Sequence, residues 1–146
     1  MRTILPQIIA ERATGRDCVL VSLIADSGSA PRGKGSLMLV GAQGRIAGTV
    51  GGGAIERHCE NMGKTLTAEK RSGIHEFILR ANKTEDIGMI CGGDVTAQFQ
   101  FIPAESPLWD EVLRIAQERT AAHRHGWLIL REDGGTPTLA ADGQCL

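Results

Sequence analysis

The alternation of apolar and polar positions predicts strands along much of this chain. Residues 18–25 (CVLVSLIA) form a continuous apolar run, which is typical of a strand buried on both faces. Residues 37–41 and 45–50 flank the turn AQG and predict a β-hairpin. Segments 74–80 and 95–102 alternate between apolar and polar side chains, so each predicts a strand with one buried face.

Other segments carry apolar side chains at three- and four-residue spacing, which predicts amphipathic helices. The first helix runs through about Thr14, and the second opens from a loop within residues 51–70. The third runs from about Pro107 to Ala122, with Ser106 as a suitable N-cap and proline at the first helical position. Residues 126–133 predict one further strand.

Length and composition fit one globular domain. The chain has 146 residues, of which 42% are hydrophobic and 23% are charged, and it contains no linker long enough to divide it. We therefore expect a single α/β (α+β) domain over residues 1–146. Its mixed β-sheet is expected to carry two to three flanking helices and no Rossmann unit.

Composition and the N-terminal sequence argue against two classes of partner, nucleic acids and membranes. The net charge of −1 and the five aromatic residues, three Phe and two Trp, argue against nucleic-acid binding. The N-terminal segment contains Pro6 and becomes charged within twelve residues, which is unlike a signal peptide or a membrane span. The four cysteines include no CxxC pair, which excludes a zinc ribbon and a thioredoxin-type motif. We expect a cytoplasmic protein with reduced thiols.

Glycine is the unusual feature of the composition. The 19 glycines are about twice the average share of ~7%, and many cluster at predicted strand ends, in residues 27–36, 48–56 and 91–93. Consecutive glycines can turn several amide groups into one concavity and form a nest for anions. Each cluster can equally be a simple turn.

Two phosphate-binding motifs fail on inspection. Residues 28–34 (GSAPRGK) satisfy GxxxxGK, but Gly35 stands where the P-loop needs Ser or Thr, and a strand rather than a helix follows. The dinucleotide pattern GxGxxG fails because Gly51 and Gly53 are followed by Glu56 at its last position.

The segment TVGGGAIE remains as a loop that opens a helix, and a helix N-terminus favours an anion. Arg32, in the first glycine cluster, can form a bidentate contact with a phosphate. Glu56 has two interpretations: it complements the helix dipole, or it accepts hydrogen bonds from a heterocyclic amine of a ligand. Cys91 precedes two glycines, an arrangement that packing alone does not require.

Three segments, SGSAPRGKGSLML, GRIAGTVGGGAIE and MICGG, together resemble the N-terminal domain of the XdhC/CoxI family of molybdenum hydroxylase maturation factors. The resemblance spans roughly residues 18–102. It implies binding of molybdopterin-type molybdenum cofactor as cargo and its delivery to the apo-enzyme of a xanthine dehydrogenase- or CO dehydrogenase-type molybdenum hydroxylase. A cysteine desulfurase and a second copy of the chain, in a homo-oligomer, are further candidate partners. The cofactor-binding residues that it assigns are Ser27, Gly28, Ser29, Pro31, Arg32, Gly51, Gly52, Gly53, Glu56, Cys91, Gly92 and Gly93.

The sequence departs from the family in two respects. Relatives usually continue into a C-terminal Rossmann-like domain, whereas this sequence stops at Leu146, and some carry a cysteine where this chain has Ala54. The chain is expected to be a short member, a half whose partner is a separate chain, or a truncated piece of a longer protein. Cys91 is therefore the main candidate thiol, as a ligand near molybdenum or as a sulfur-handling group. Two alternatives to a cofactor chaperone without turnover remain: a sulfur transferase or redox enzyme fragment lacking its nucleotide-binding domain, and a module that only docks the hydroxylase.

Overall fold

The structure is a computed structural model, and it describes residues 3–28, 34–78, 93–131, 133, 135, 137–141 and 144–145. Its elements in chain order are α1 (Leu5–Ala13), β1 (Cys18–Gly28), β2 (Leu37–Gly41), β3 (Gly44–Gly48), α2 (Gly53–Glu69), β4 (Gly73–Ile78), β5 (Gly93–Ile102), α3 (Pro107–Ala121), β6 (Trp127–Ile129), β7 (Thr138–Ala141) and β8 (Gln144–Cys145). None of these helices is both long and apolar enough to cross a membrane.

Five strands form the central sheet, in the order β3-β2-β1-β5-β4. All its pairings are antiparallel, so the sheet is not of mixed direction. The tight turn between β2 and β3 requires this direction for that pair, because strands joined by a short hairpin must run in opposite directions, whereas β1 and β5 pair over a long stretch of chain. The expected α/β class is confirmed.

Strand β1 is the central strand of this sheet and is buried on both faces, as its continuous apolar run predicted. Val19, Val21 and Leu23 point to one face of the sheet, where they pack in a cluster that includes Ile55 and Cys59 of α2. The alternate residues of β1 point to the opposite face, which α1 and α3 cover. The cluster on that face includes Cys18, Leu20, Leu39, Ile102, Ile8, Trp109 and Val112.

Arg12 fixes the arrangement of α1 and α3. Its guanidinium donates to the carbonyl oxygens of Pro103 (2.9 Å) and Ser106 (3.2 Å) and forms an ion pair with Asp110 (2.7 Å). The Ser106 hydroxyl accepts a hydrogen bond from the Trp109 amide, which confirms the predicted N-cap of α3. The C-terminus of α1 therefore lies beside the N-terminus of α3.

A small antiparallel sheet, in the order β6-β7-β8, completes the described chain. Its first strand ends at Ile129, earlier than the predicted segment 126–133. A local turn explains the difference, because the Asp133 carboxylate accepts from the Arg131 guanidinium (3.0 and 2.5 Å) and from the Gly135 amide (2.9 Å). Gln98 of β5 donates to the Arg131 carbonyl (2.6 Å) and so ties this region to the central sheet.

Candidate functional site

Two of the three glycine motifs meet across neighbouring strands. Strand β1 pairs with β5 up to its last residue, so that Ser27 lies opposite Asp94 and Gly28 lies opposite Gly93. The register shifts between Leu23 and Ala25, a β-bulge of the kind that often redirects a strand near a functional site. We call the end of the central sheet where β1 finishes and β5 begins the glycine end.

The second motif follows β3, which finishes towards the same end of the sheet. Gly48 is paired with Met38, Met38 with Val21, and Val21 with Phe99, so these residues form one row across the sheet. The Gly28–Gly93 pair lies seven residues further along β1, from Val21 to Gly28, or roughly 20 Å at the usual rise per residue. The glycine motifs therefore lie towards one end of the sheet but at two levels.

Several predicted site residues lie outside the described residues. They are Ser29, Pro31, Arg32, Cys91 and Gly92. We expect the three glycine motifs to form one contiguous pocket in which Arg32 approaches Cys91, and this arrangement stays a prediction. Among the residues that the structure describes, no group of three or more His, Cys, Asp or Glu side chains is placed to hold a metal ion.

Gly48 marks the point where the chain leaves β3 for α2. Its φ is +74°, and a Cβ atom at this position would lie well inside 3.0 Å of the Leu37 carbonyl oxygen and 2.8 Å from Ile4 Cδ1. The next amide, that of Thr49, donates to the same Leu37 carbonyl (2.9 Å). The start of the 49–52 loop, which joins β3 to α2, is therefore held against the first residue of β2.

The 49–52 loop leads into α2 through a run of glycines with left-handed backbone angles. The φ values are +128° at Gly51, +78° at Gly52 and +63° at Gly53. At Gly52 the ψ of −175° completes a conformation that is essentially restricted to glycine. A Cβ atom added at Gly52 or Gly53 would meet nothing within 4 Å, so the space beside this backbone is open to a ligand.

Glu56, in the first turn of α2, folds back onto the 49–52 loop. One carboxylate oxygen accepts a hydrogen bond from Arg45 Nη1 (2.6 Å), within an ion pair. The other oxygen accepts from the Thr49 hydroxyl and from the Gly52 amide (3.1 Å). The Thr49 Oγ1 in turn accepts from the Gly51 amide (3.1 Å). The carboxylate thus joins β3, the loop and the helix.

The pKa of Glu56 reflects these contacts. Burial by itself raises it, but the Thr49 hydrogen bond, the Arg45 charge and the backbone of Gly52 and Val50 together lower it below its ordinary value. The carboxylate is therefore held in its charged form. Of the two interpretations of Glu56, its position at the helix N-terminus favours the first, complementing the dipole.

Sequence reasoning missed Arg45 and Thr49, which belong to this network. Thr49 had a readable local signal, since a threonine hydroxyl two residues before a turn glycine often accepts from its amide. Arg45 had none, because it stands eleven positions before Glu56 and meets it only after β3 and α2 pack together.

The two described buried cysteines belong to the core. Cys18 and Cys59 are fully buried, and burial raises the pKa of each thiol to about 12. Both thiols therefore stay protonated at neutral pH.

A cavity of about 280 Å³ lies between α1, α3 and β6. Leu5, Val112 and Leu128 contribute to its apolar wall, and His123 and Arg124 contribute to its polar side. Because no described residue of the glycine motifs lines it, the glycine end rather than this cavity is the candidate site.

Comparison with known proteins assigns the class to which this fold and these motifs belong. The pattern of the XdhC and CoxI family matches residues 11–80, a stretch that contains the first two glycine motifs and ends before Cys91. The resemblance to this family that the sequence motifs indicated is thus confirmed.

A curated relative is the molybdenum cofactor insertion chaperone PaoD of Escherichia coli (strain K12), which is 30% identical over 129 residues. That alignment covers 85% of this chain and 39% of PaoD. A solved structure described as a xanthine dehydrogenase from Bacillus halodurans shares the fold, with a TM-score of 0.73 at 16% identity over 96% of this chain and 43% of that one. The chain thus spans about two fifths of the length of both proteins.

Proposed function

We propose that this chain binds the molybdopterin-type molybdenum cofactor as cargo at the glycine end and takes part in its insertion into a molybdenum hydroxylase. The observation that carries the proposal is the similarity to PaoD, which is named as a molybdenum cofactor insertion chaperone and aligns with 85% of this chain. The proposed client is an apo-enzyme of the xanthine dehydrogenase or CO dehydrogenase type. The chain's own role is to hold and hand over the cargo, without turnover.

The described residues supply a setting that suits the phosphate of such a cargo. The amides that follow Gly52 in the first turn of α2 have no backbone partner within the helix, and the helix dipole favours negative charge there. Open space beside Gly52 and Gly53 lets a ligand approach this backbone closely. Arg32 would complete the phosphate contact, and Cys91 would offer a soft ligand to the molybdenum–sulfur end.

The test is retention of cargo by the purified chain after co-expression in a host that makes molybdopterin. Molybdenum is measured by mass spectrometry and pterin by the fluorescence of its oxidised form. We expect both in the parent chain and a loss of both in Gly52→Ala. The matched control is Gly15→Ala, because Gly15 also has a positive φ (+73°) with open space beside it but lies in the turn between α1 and β1.

Two outcomes would contradict the proposal. One is a parent chain that carries neither molybdenum nor pterin; the other is equal retention by Gly52→Ala and Gly15→Ala. A persulfide on Cys91 without bound pterin would instead favour the sulfur transferase. Binding of the apo-hydroxylase by a chain that never holds cofactor would favour the docking module.

A further inference from the structure

The carboxylate of Glu56 has little capacity left for a ligand. A carboxylate offers about four lone-pair sites. Three donors already occupy the carboxylate, from Arg45, Thr49 and the Gly52 amide, and the backbone of Val50 is close enough to lower the pKa further. A heterocyclic amine of a bound cargo would have to compete with these donors for the same carboxylate.

Charge argues in the same direction. The carboxylate stands at the Gly52 amide, one of the donors at the N-terminus of α2 that suit a phosphate. A direct contact would bring two negative charges together, and the Arg45 guanidinium is already paired with Glu56. Glu56 therefore cannot serve the anionic part of the cargo as a direct ligand.

Glu56 is well placed to hold the loop instead. Glycine adopts the positive φ angles of Gly51, Gly52 and Gly53 readily, but it adopts many other angles as well, so contacts are needed to hold the loop in this one conformation. Glu56 follows Ile55, which is fully buried against the sheet, so its backbone stands on a fixed part of α2. From there its side chain holds both Thr49 and the Gly52 amide.

We infer that Glu56 is a positioning residue, which fixes the shape of the 49–52 loop through Thr49, Gly52 and Arg45 and acts on the cargo only through that loop. This inference rests on the proposed function for its effect on cargo, and it refines the expectation that Glu56 itself binds cofactor. Thr49 has the same role, because its hydroxyl links the Glu56 carboxylate to the Gly51 amide.

A double-mutant cycle on the rate of cargo loss tests the inference. The proteins are the parent, Glu56→Gln, Thr49→Val and the double variant. Each single change should speed cargo loss about tenfold or more, the factor expected when a hydrogen bond to a charged group is lost. The double variant should lose cargo little faster than either single variant, because both changes release the same loop.

Matched controls separate positioning from general damage. Thr49→Ser keeps the hydroxyl and should retain cargo like the parent. Glu60→Gln removes a carboxylate one turn further along α2, beside Gly44 rather than the 49–52 loop, and should also behave like the parent. A Thr49→Val variant that retains cargo like the parent, or fully additive effects in the double variant, would overturn the inference.

A second measurement needs no cargo. Amide hydrogen exchange at Gly51 and Gly52 should accelerate about tenfold or more in Glu56→Gln and in Thr49→Val, while amides in the middle of β1 keep the parental rate. Unchanged exchange at both glycines would overturn the inference. If no variant and no parent holds cofactor, the proposed function fails, and the exchange rates still decide the role of Glu56.

Discussion

Replacement of Gly48 by alanine tests whether the crossing from β3 to α2 depends on one glycine. The residue has φ +74°, which costs an alanine roughly 1–2 kcal/mol. The added Cβ would also collide with the Leu37 carbonyl oxygen and with Ile4 Cδ1. A carbonyl in a paired strand cannot move aside as a flexible side chain can.

The magnitude follows from these two causes. Overpacking of a well-filled site typically costs about 1–3 kcal/mol. Any shift that relieves the clash also strains the hydrogen bond from the Thr49 amide to Leu37, worth about 0.5–1.5 kcal/mol. We expect Gly48→Ala to lower the free energy of unfolding by about 3 kcal/mol, which corresponds to a fall in Tm of roughly 10 °C for a chain of this size.

The control for Gly48→Ala is Gly35→Ala. Gly35 also has a positive φ (+86°), but a Cβ atom there would meet nothing within 4 Å. Its substitution should therefore cost only the backbone term, roughly 1–2 kcal/mol. Urea unfolding followed by circular dichroism gives both free energies under one protocol. If the two variants unfold within about 0.5 kcal/mol of each other, the collision with Leu37 does not exist in solution and the reasoning is wrong.

Three further predictions concern the core, the thiols and pH. Gly63→Ala gains about 1 kcal/mol of helix propensity, but its Cβ would lie 2.9 Å from Val40 Cβ. Urea unfolding should therefore show a net loss of up to about 2 kcal/mol in the free energy of unfolding, and a variant more stable than the parent would refute this. Cys18 and Cys59 have pKa values of about 12, so at pH 8 each should be alkylated on the order of a thousandfold more slowly than an ordinary thiol. Mass spectrometry of the alkylated native protein measures these rates, and rapid labelling of either cysteine would contradict its burial. The pKa of Glu56 is lower in the folded chain than its unfolded value of 4.5, so the charged carboxylate stabilises the fold above pH 4.5, and this stability is lost as pH falls through the folded pKa. The free energy of unfolding of the parent should therefore exceed that of Glu56→Gln by more at pH 7 than at pH 3. A difference that does not change with pH would count against the network.

Much of the fold could be predicted because its signals are local. The run from Cys18 to Leu23 is apolar at every position except Ser22, and only a strand covered on both faces can bury it all. Ser106 followed by Pro107 fixes a helix start within one turn of chain. These signals depend on neighbours in sequence, so tertiary packing did not change their outcome.

The direction of the strands and the end of β6 were harder to predict. Antiparallel pairing follows from which strands become neighbours, and β1 finds β5 about seventy positions away. The early end of β6 depends on the contacts of Asp133 with Arg131 and Gly135, which a hydrophobic pattern does not register. Hydrophobic periodicity predicts neither the pairing of distant strands nor a turn that side-chain hydrogen bonds stabilise.

The candidate site also has one part that could be predicted from local sequence and one part that could not. The glycine motifs could be recognised in the sequence, because glycine is the usual residue where φ is positive and where the space beside the backbone is open, as at Gly52. The role of Glu56 could not be predicted, because it depends on Arg45 from another element. An acid in the first turn of a helix looks the same in sequence whether it serves the dipole, a ligand or a loop.

The two levels of the glycine motifs lead to a final prediction about the cargo. The 49–52 loop follows the sheet row through Gly48, while the Gly28–Gly93 pair lies seven residues further along β1. Molybdopterin carries its phosphate and its molybdenum–sulfur group on one small ring system, so one molecule can contact both motifs only where they approach each other. With the phosphate near the 49–52 loop, we expect the metal near Cys91, which stands two positions before Gly93 in the sequence. Cys91→Ser should then lose molybdenum but keep pterin, whereas Gly52→Ala should lose both, as the ratio of molybdenum to pterin in each purified variant will report. Loss of both in the same proportion from the two variants would place phosphate and metal at one level and refute this division of the site.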